Sequence, residues 1–231
     1  KIQKTEEVIL FGKNISEIKP MVQAAGFKVV EKDARFVISY GGDGTLMHAE
    51  YKYPGIPKII LKNSLVCKRC SQLPNEEVLQ KVINSQYFME ELMKLEVEAD
   101  GQKLYAINDI TVHNKDSRHA IRYSLSVNDR LIGDSIIGDG VVVATPFGST
   151  GYYRSITDSF FELGIGLAFN NSIEQSDHIV LKENSIIKIK IIRGPAVIYA
   201  DNQEHELTII DKDTEITIKK SPLKTTIIMP N

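Results

Sequence analysis

Asp43 stands in "FVISYGGDGTLMHAE", residues 36–50, as a lone carboxylate among Gly41, Gly42 and Gly44. Glycine accepts positive φ and has no side chain to keep a phosphate away from the backbone. Thr45 suits a helix N-cap, and exposed N–H groups at a helix start attract anions. "FVISY" reads as a buried strand, so the turn falls at a strand's carboxyl end, where open α/β sheets bind ligands. Gly41, Gly42, Gly44 and Thr45 are therefore candidate phosphate-binding residues. A carboxylate beside phosphates is repelled, by roughly 1 kcal/mol at about 4 Å in water and several times more in a drier site. Asp43 must then hold a cation, take a proton from an attacking hydroxyl, or stand clear. The first two are parts of phosphoryl transfer. A purely structural turn would explain the glycines but not their company. The segment is neither Walker A nor G-x-G-x-x-G.

Two later clusters add partners. "LYAINDITV" sets Asn108 beside Asp109, an amide and a carboxylate that can read ring nitrogens and a ribose hydroxyl together. The alternative is a bulge or turn with two polar residues facing water. "GDGVVVATPFGSTGYYRS", residues 138–155, puts Asp139 on a glycine-flanked turn ahead of a hydroxyl-rich loop. There Ser149, Thr150 and Ser155 can donate to phosphate or ribose oxygens, and Tyr152 offers a ring face to a base. A sandwich loop collects the same residue types.

The elements that must carry these clusters change character along the chain. Up to about residue 94, short apolar runs ("EEVILFG", "FKVVE", "FVISY", "PKIIL") alternate with helical patterns. Ile18, Met21, Val22 and Ala25 mark one such face, and "PNEEVLQKVIN" opens on a proline. That alternation predicts a Rossmann-like α/β domain over residues 1–94, with a parallel sheet. From residue 95, runs of period two dominate: "LEVEADGQKLYAI" around a D-G turn, then "RYSLSVNDRLIGDS", "GVVVATP", "SIIKIKII", "AVIYADNQEHELTI" and "TEITIKK". They predict a β-sandwich-like domain over residues 95–231, whose last residues could pack back on the first domain. The fold class is thus α/β plus all-β. A cleft between two such domains is a favoured place for a ligand.

Composition narrows the partners. A formal net charge of −2 argues against nucleic acid or an anionic membrane as the main partner. No window approaches the about 20 apolar residues of a membrane span, and the first residues lack a leader's apolar region, so a cytoplasmic protein is expected. Cys67 and Cys70 form one C-x-x-C without a second pair, so zinc is not expected; a redox pair is the alternative, but without a thioredoxin-like context two reduced thiols are expected. The five histidines are scattered, and no metal ligand set is expected.

"GGDGT", the "ND" after "YAI", and "DGVVVATP" followed by "GST" and a tyrosine, in this order and spacing, resemble the NAD kinase family. The resemblance runs from about residue 36 to the "SPLK" near the end. It implies an enzyme that moves a phosphoryl group from ATP, with Mg²⁺ or another divalent cation, to the adenosine-ribose 2′-hydroxyl of NAD. It further implies Asp43 as the essential acid, Asn108 and Asp109 on the adenosine part (Asp109 replacing a glutamate), and Asp139 toward the nicotinamide end. Gly44, Thr150, Gly151, Tyr152 and Ser155 would complete the NAD site, and a homo-oligomer is implied. Departures are Gly151 and Tyr153 in a "GSTAYN" pattern, "NSLVCKR" where a glycine-rich loop is usual, Ile137 for a basic residue, and Asn202 after Asp201. Lys68 and Arg69, in that loop, either touch phosphate or are solvated. The rivals are a lipid or sugar kinase of the same superfamily and a non-catalytic dinucleotide sensor.

Overall fold

Strands that are apolar on both faces need a helix layer on each side, and the N-terminal elements supply them. The computed structural model describes residues 5–65, 67–174, 178–209 and 214–231; the opening KIQK and Val66 of "NSLVCKR" lie outside these. In chain order the elements begin β1 (Glu7–Gly12), α1 (Ile15–Ala24), β2 (Lys28–Val29), β3 (Phe36–Gly41), α2 (Asp43–Lys52), β4 (Lys58–Lys62) and α3 (Asn75–Ile83). Next come β5 (Tyr87–Ala99), β6 (Gln102–Ala106), β7 (Asp109–Asn114), β8 (Ile121–Val127), β9 (Arg130–Gly138) and β10 (Gly140–Ala144). A single 3₁₀ turn (Gly148–Thr150) leads to α4 (Tyr152–Thr157). Strands β11 (Ile165–Asn170), β12 (His178–Leu181), β13 (Ile186–Arg193), β14 (Ala196–Ala200), β15 (Glu206–Ile209) and β16 (Glu215–Pro230) finish the chain.

The chain divides into two compact units, Lys1–Leu92 with Lys224–Asn231, and Met93–Leu223. In the first, parallel strands run in the order β2-β1-β3-β4, and the end of β16 pairs in parallel with β4, Ile227 opposite Lys58. Alternation along β3 sends Phe36 and Ile38 to one face, where they pack with Ile18 and Val22 of α1 and Val78, Leu79 and Val82 of α3. Val37 goes to the other face, with Ile9 and Ala49 of α2. The fold class expected from sequence, α/β followed by a β-rich part, is the one observed.

Helix α2 is fixed at its far end by a buried ion pair. Lys58 on β4 is wholly buried, and its Nζ donates to the Glu50 carboxylate and, at 2.7 Å, to Tyr53 O. Glu50 also accepts from the Gly55 N–H at 3.2 Å. Removing one member of such a pair strands the other charge in a poor solvent. Lys58→Met is therefore expected to lower unfolding stability by about 3 kcal/mol, seen as a lower urea midpoint with an unchanged slope.

The second unit is a sandwich. One sheet runs β12-β11-β10-β7-β14-β15. The other contains β13 between β8 and the first half of β16, with β9 beside β8. Ile110, Val112, Val141, Val143 and Leu167 of the first meet Leu95, Tyr123, Leu125, Ile187, Ile189 and Ile216 of the second in one core. The D-G turn forms as read: Asp100 and Gly101 both have positive φ (50° and 73°), joining β5 to β6.

Candidate active site

The candidate residues fall into two groups, one in each unit. In the first, α2 starts at Asp43 with Gly42 as its N-cap, three residues earlier than the expected cap at Thr45. Thr45 instead sits inside the first turn, its N–H bonded to Gly42 O at 3.0 Å. Its hydroxyl folds back over Gly41, where an added Cβ would lie 2.1 Å from Thr45 Oγ1, so the close approach requires glycine. The opening amides of a helix have no intrahelical acceptor and carry the positive end of its dipole. At this helix start lies a recess of about 580 Å³ lined by Gly41, Gly42, Asp43, Gly44, Thr45, Asn63 and Ser64.

Lys13 and Asn14 line the same recess, and the sequence reading missed them. The turn after β1 has no phosphate-loop signature. The signal lies in register: β1 pairs with β3, Gly12 opposite Tyr40, so the loops leaving the two strands emerge side by side. Lys13 is the basic side chain of this recess.

The loop after β4 covers Asp43. Both carboxylate oxygens lie 3.1 Å from the Lys68 N–H, and Cys67 Sγ is 3.6 Å from Oδ1. Cys67 and Cys70 form a disulfide, correcting the expectation of two reduced thiols. Their Cα atoms are 5.5 Å apart, within the reach of such a bond, because the loop turns tightly between them. Arg69 is tied to Glu90 at 2.8 Å.

In the second unit, β6 ends at Ala106 and β7 begins at Asp109, so Ile107 and Asn108 form a bend. Asp201 holds that bend. Its carboxylate accepts the N–H groups of Ile107 (2.9 Å), Asn108 (2.7 Å) and Asp109 (3.2 Å). Burial pushes the Asp201 carboxyl up to about 7; the three N–H groups pull against this and the Asp109 charge adds to it. Asn108 Nδ2 donates to Asp109 Oδ2, so the adjacent amide and carboxylate act as one unit. The sequence marks Asp201 only as the residue before Asn202; its role becomes visible through contacts more than ninety residues apart in the chain.

The hydroxyl-rich loop packs on the same bend. Thr145 Oγ1 donates to Ile107 O at 2.6 Å and accepts the Gly148 N–H at 3.1 Å. A Cβ at Gly148 would meet Asn108 O at 1.9 Å, and one at Gly151 would come within 3.2 Å of Asn108 Nδ2. The loop's hydroxyls differ from the sequence reading in one respect. Ser149 spends its proton on Pro146 O (2.8 Å) and Ser155 on Tyr152 O (2.7 Å), so neither is poised as a donor. Thr150 Oγ1 is buried there without a hydrogen-bond partner. Tyr152 is partly exposed at the start of α4, its hydroxyl accepting Asn170 Nδ2 at 2.9 Å. Asp139, between β9 and β10, accepts from Asn114 (3.1 Å) and Asn171 (2.7 Å). Tyr153 is core, edge-on to Phe161 at 5.1 Å, so that departure from the family pattern is absorbed by packing.

The profile of the ATP-NAD kinase C-terminal domain matches residues 107–229, more than half of the chain. The chain belongs to the NAD kinase family. It is 30% identical to an NAD kinase of Thermococcus gammatolerans over 84% of this chain and 73% of that protein. Its fold is similar to that of a yeast NADH kinase solved with NADH (TM-score 0.83, 18% identity, 98% of this chain and 84% of that one). It is also similar to an Archaeoglobus fulgidus NAD kinase solved with ATP (TM-score 0.78, 22% identity, 96% and 92%). Within this family, the matched segment holds Asn108, Asp109, Asp139 and the 148–155 loop, while Asp43 and Lys13 precede it.

Proposed function

We infer that this chain is an NAD kinase, transferring the γ-phosphoryl group of ATP to the adenosine-ribose 2′-hydroxyl of NAD to give NADP. The observation that carries this reading is Asp43 at the head of α2, sharing a recess with Lys13 in a chain of this family. In our reading Asp43 takes the proton as the hydroxyl attacks. The helix start at Gly41, Gly42, Gly44 and Thr45, with the Lys13 ammonium, binds donor phosphates. Asn108 and Asp109 hold the adenosine, held in turn by Asp201. Thr150, Gly151, Tyr152 and Ser155 line the base and ribose, with Thr150 Oγ1 the donor awaiting a partner. Asp139 serves the nicotinamide end.

A divalent cation suits this donor set only as a phosphate-borne ion. Among the described residues no three His, Cys, Asp or Glu side chains form a ligand group. Mg²⁺ commonly binds through one or two carboxylates plus substrate phosphates. If Asp43 orders the metal instead of taking the proton, it would be the protein ligand; in either case the ion would neutralise charge on the transferring group. A cytoplasmic homo-oligomer remains part of the proposal, with sedimentation to measure its size. Among the described residues no helix is long and apolar enough to cross a membrane.

The test is NADP formation from NAD, or NADPH from NADH, with MgATP, beside calorimetry of NAD binding. Turnover supports the reading; NAD binding without turnover sinks it in favour of a sensor. Lys13→Ala is expected to raise the KM for ATP about tenfold, the worth of one charge-assisted contact, with kcat little changed. An unchanged KM would remove Lys13 from the donor site.

A further inference from the structure

The four-residue ring closed by Cys67–Cys70 lies directly on the carboxylate that the proposed reaction needs. Three contacts define the cover. The Lys68 N–H lies 3.1 Å from each Asp43 oxygen, Cys67 Sγ lies 3.6 Å from Oδ1, and Cys70 Sγ lies 3.9 Å from Gly41 O. A hydroxyl or a cation approaching Asp43 must reach those same two oxygens. We propose that Cys67–Cys70 is a thiol–disulfide exchange site for a dithiol reductant: the disulfide covers Asp43, and the dithiol uncovers it. This rests on Asp43 being the acid of the phosphoryl transfer.

Packing decides which sulfur is attacked and which moves. Cys70 is buried (7% exposed), whereas Cys67 is half-buried. A reductant thiolate attacks Cys67 Sγ, forming a mixed disulfide, and Cys70 leaves as a thiolate that takes up a proton. The reductant's second thiol, as its thiolate, then attacks the reductant's own sulfur of that mixed disulfide, closing the reductant's disulfide. Cys67 is expelled as a thiolate and protonated. Two electrons and two protons have passed to the protein, and the reductant is oxidised by the same two electrons. Two unbonded sulfurs cannot remain at bonding distance. Cys70 is held by its packing, so Cys67 is the side that shifts, and it is the side touching Asp43. The Lys68 N–H between the two cysteines loses the ring that aims it. Arg69, tied to Glu90, keeps the far end of the loop in place while this happens.

The experiment uses the full chain, equilibrated with a reduced or an oxidised dithiol and checked by alkylation and mass spectrometry at Cys67 and Cys70. MgATP binding is measured by calorimetry in each state, and NAD phosphorylation in parallel. The dithiol form is expected to bind MgATP about tenfold more tightly, the scale of one displaced polar contact, and to turn over faster. Cys70→Ser, which cannot close the ring, is expected to behave as the dithiol form under both conditions. Equal MgATP affinity in the two states overturns the proposal, as does redox dependence that persists in Cys70→Ser. A redox-dependent MgATP affinity without NAD phosphorylation in either state keeps the exchange site and removes the NAD kinase reading. Phosphorylation at one rate in both states, with equal MgATP affinity, does the reverse.

Discussion

Asp43→Asn is expected to lower kcat for NADP formation by about 10²–10⁴-fold, the usual worth of a positioned general base. The substitution is nearly isosteric. Both Asp43 oxygens lie 3.1 Å from one backbone N–H, that of Lys68, so the amide oxygen can keep that bond in either orientation. Folding should hardly change, and the loss can be read as chemistry. The pattern of loss separates the two roles open to the carboxylate. A fall in kcat with unchanged Mg²⁺ dependence marks the base, since the interaction is made in the transition state. A fall relieved by raising Mg²⁺ marks the metal ligand. Wild-type turnover by the variant would remove Asp43 from the reaction.

Asp201→Ala is expected to have the second largest effect, on stability and on NAD use together. Three backbone N–H groups, of Ile107, Asn108 and Asp109, would lose their acceptor in one step. Each buried, unsatisfied group costs about 1–3 kcal/mol, so a loss of several kcal/mol should appear as a lower denaturation midpoint. The bend carrying Asn108 and Asp109 would no longer be fixed, and KM for NAD should rise more than tenfold on the scale of such contacts. Asp201 also gives stability a distinctive pH dependence. Its folded-state value of about 7 lies above the roughly 3.9 of an unfolded aspartate. Between these values the folded chain holds a proton that the unfolded chain has released. Stability from this group therefore rises as pH falls from about 8 toward 4 and is lost as pH rises through 7. The difference in unfolding free energy between wild type and Asp201→Asn should follow that slope. A flat difference would show that Asp201 is ionised across the range.

Much of the fold could be read in the sequence because alternation and helical period are local signals. β3, α3 and the β5–β6 hairpin follow from apolar spacing, a proline start and a D-G turn. The reading failed where the signal was not local. "RYSLSVNDRLIGDS" reads as one run, yet β8 and β9 are a hairpin turning at Asn128 and Asp129, both at positive φ (50° and 62°) without a glycine to mark them. The sequence reading assigns no strand after Lys220, although Thr225, Thr226, Ile227 and Ile228 are β-branched; β16 continues through them to pair with β4. At the candidate site, Asp43 and the Asn108–Asp109 pair stand out in the sequence as polar residues beside apolar runs. Lys13 and Asp201 do not, because register and long-range hydrogen bonds bring them into play. The disulfide was missed because a lone C-x-x-C has no sequence mark that distinguishes its redox state.

The most direct test of the account follows one labelled atom. ATP carrying ¹⁸O on its γ-phosphate is incubated with NAD, Mg²⁺ and the reduced protein, and the product is resolved by mass spectrometry and phosphorus NMR. The expected result is labelled phosphate as a monoester on the 2′-carbon of the adenosine ribose, formed by wild type and lost with Asp43→Asn. Label released only as free phosphate, or carried by a lipid or sugar hydroxyl while NAD stays unmodified, would contradict it.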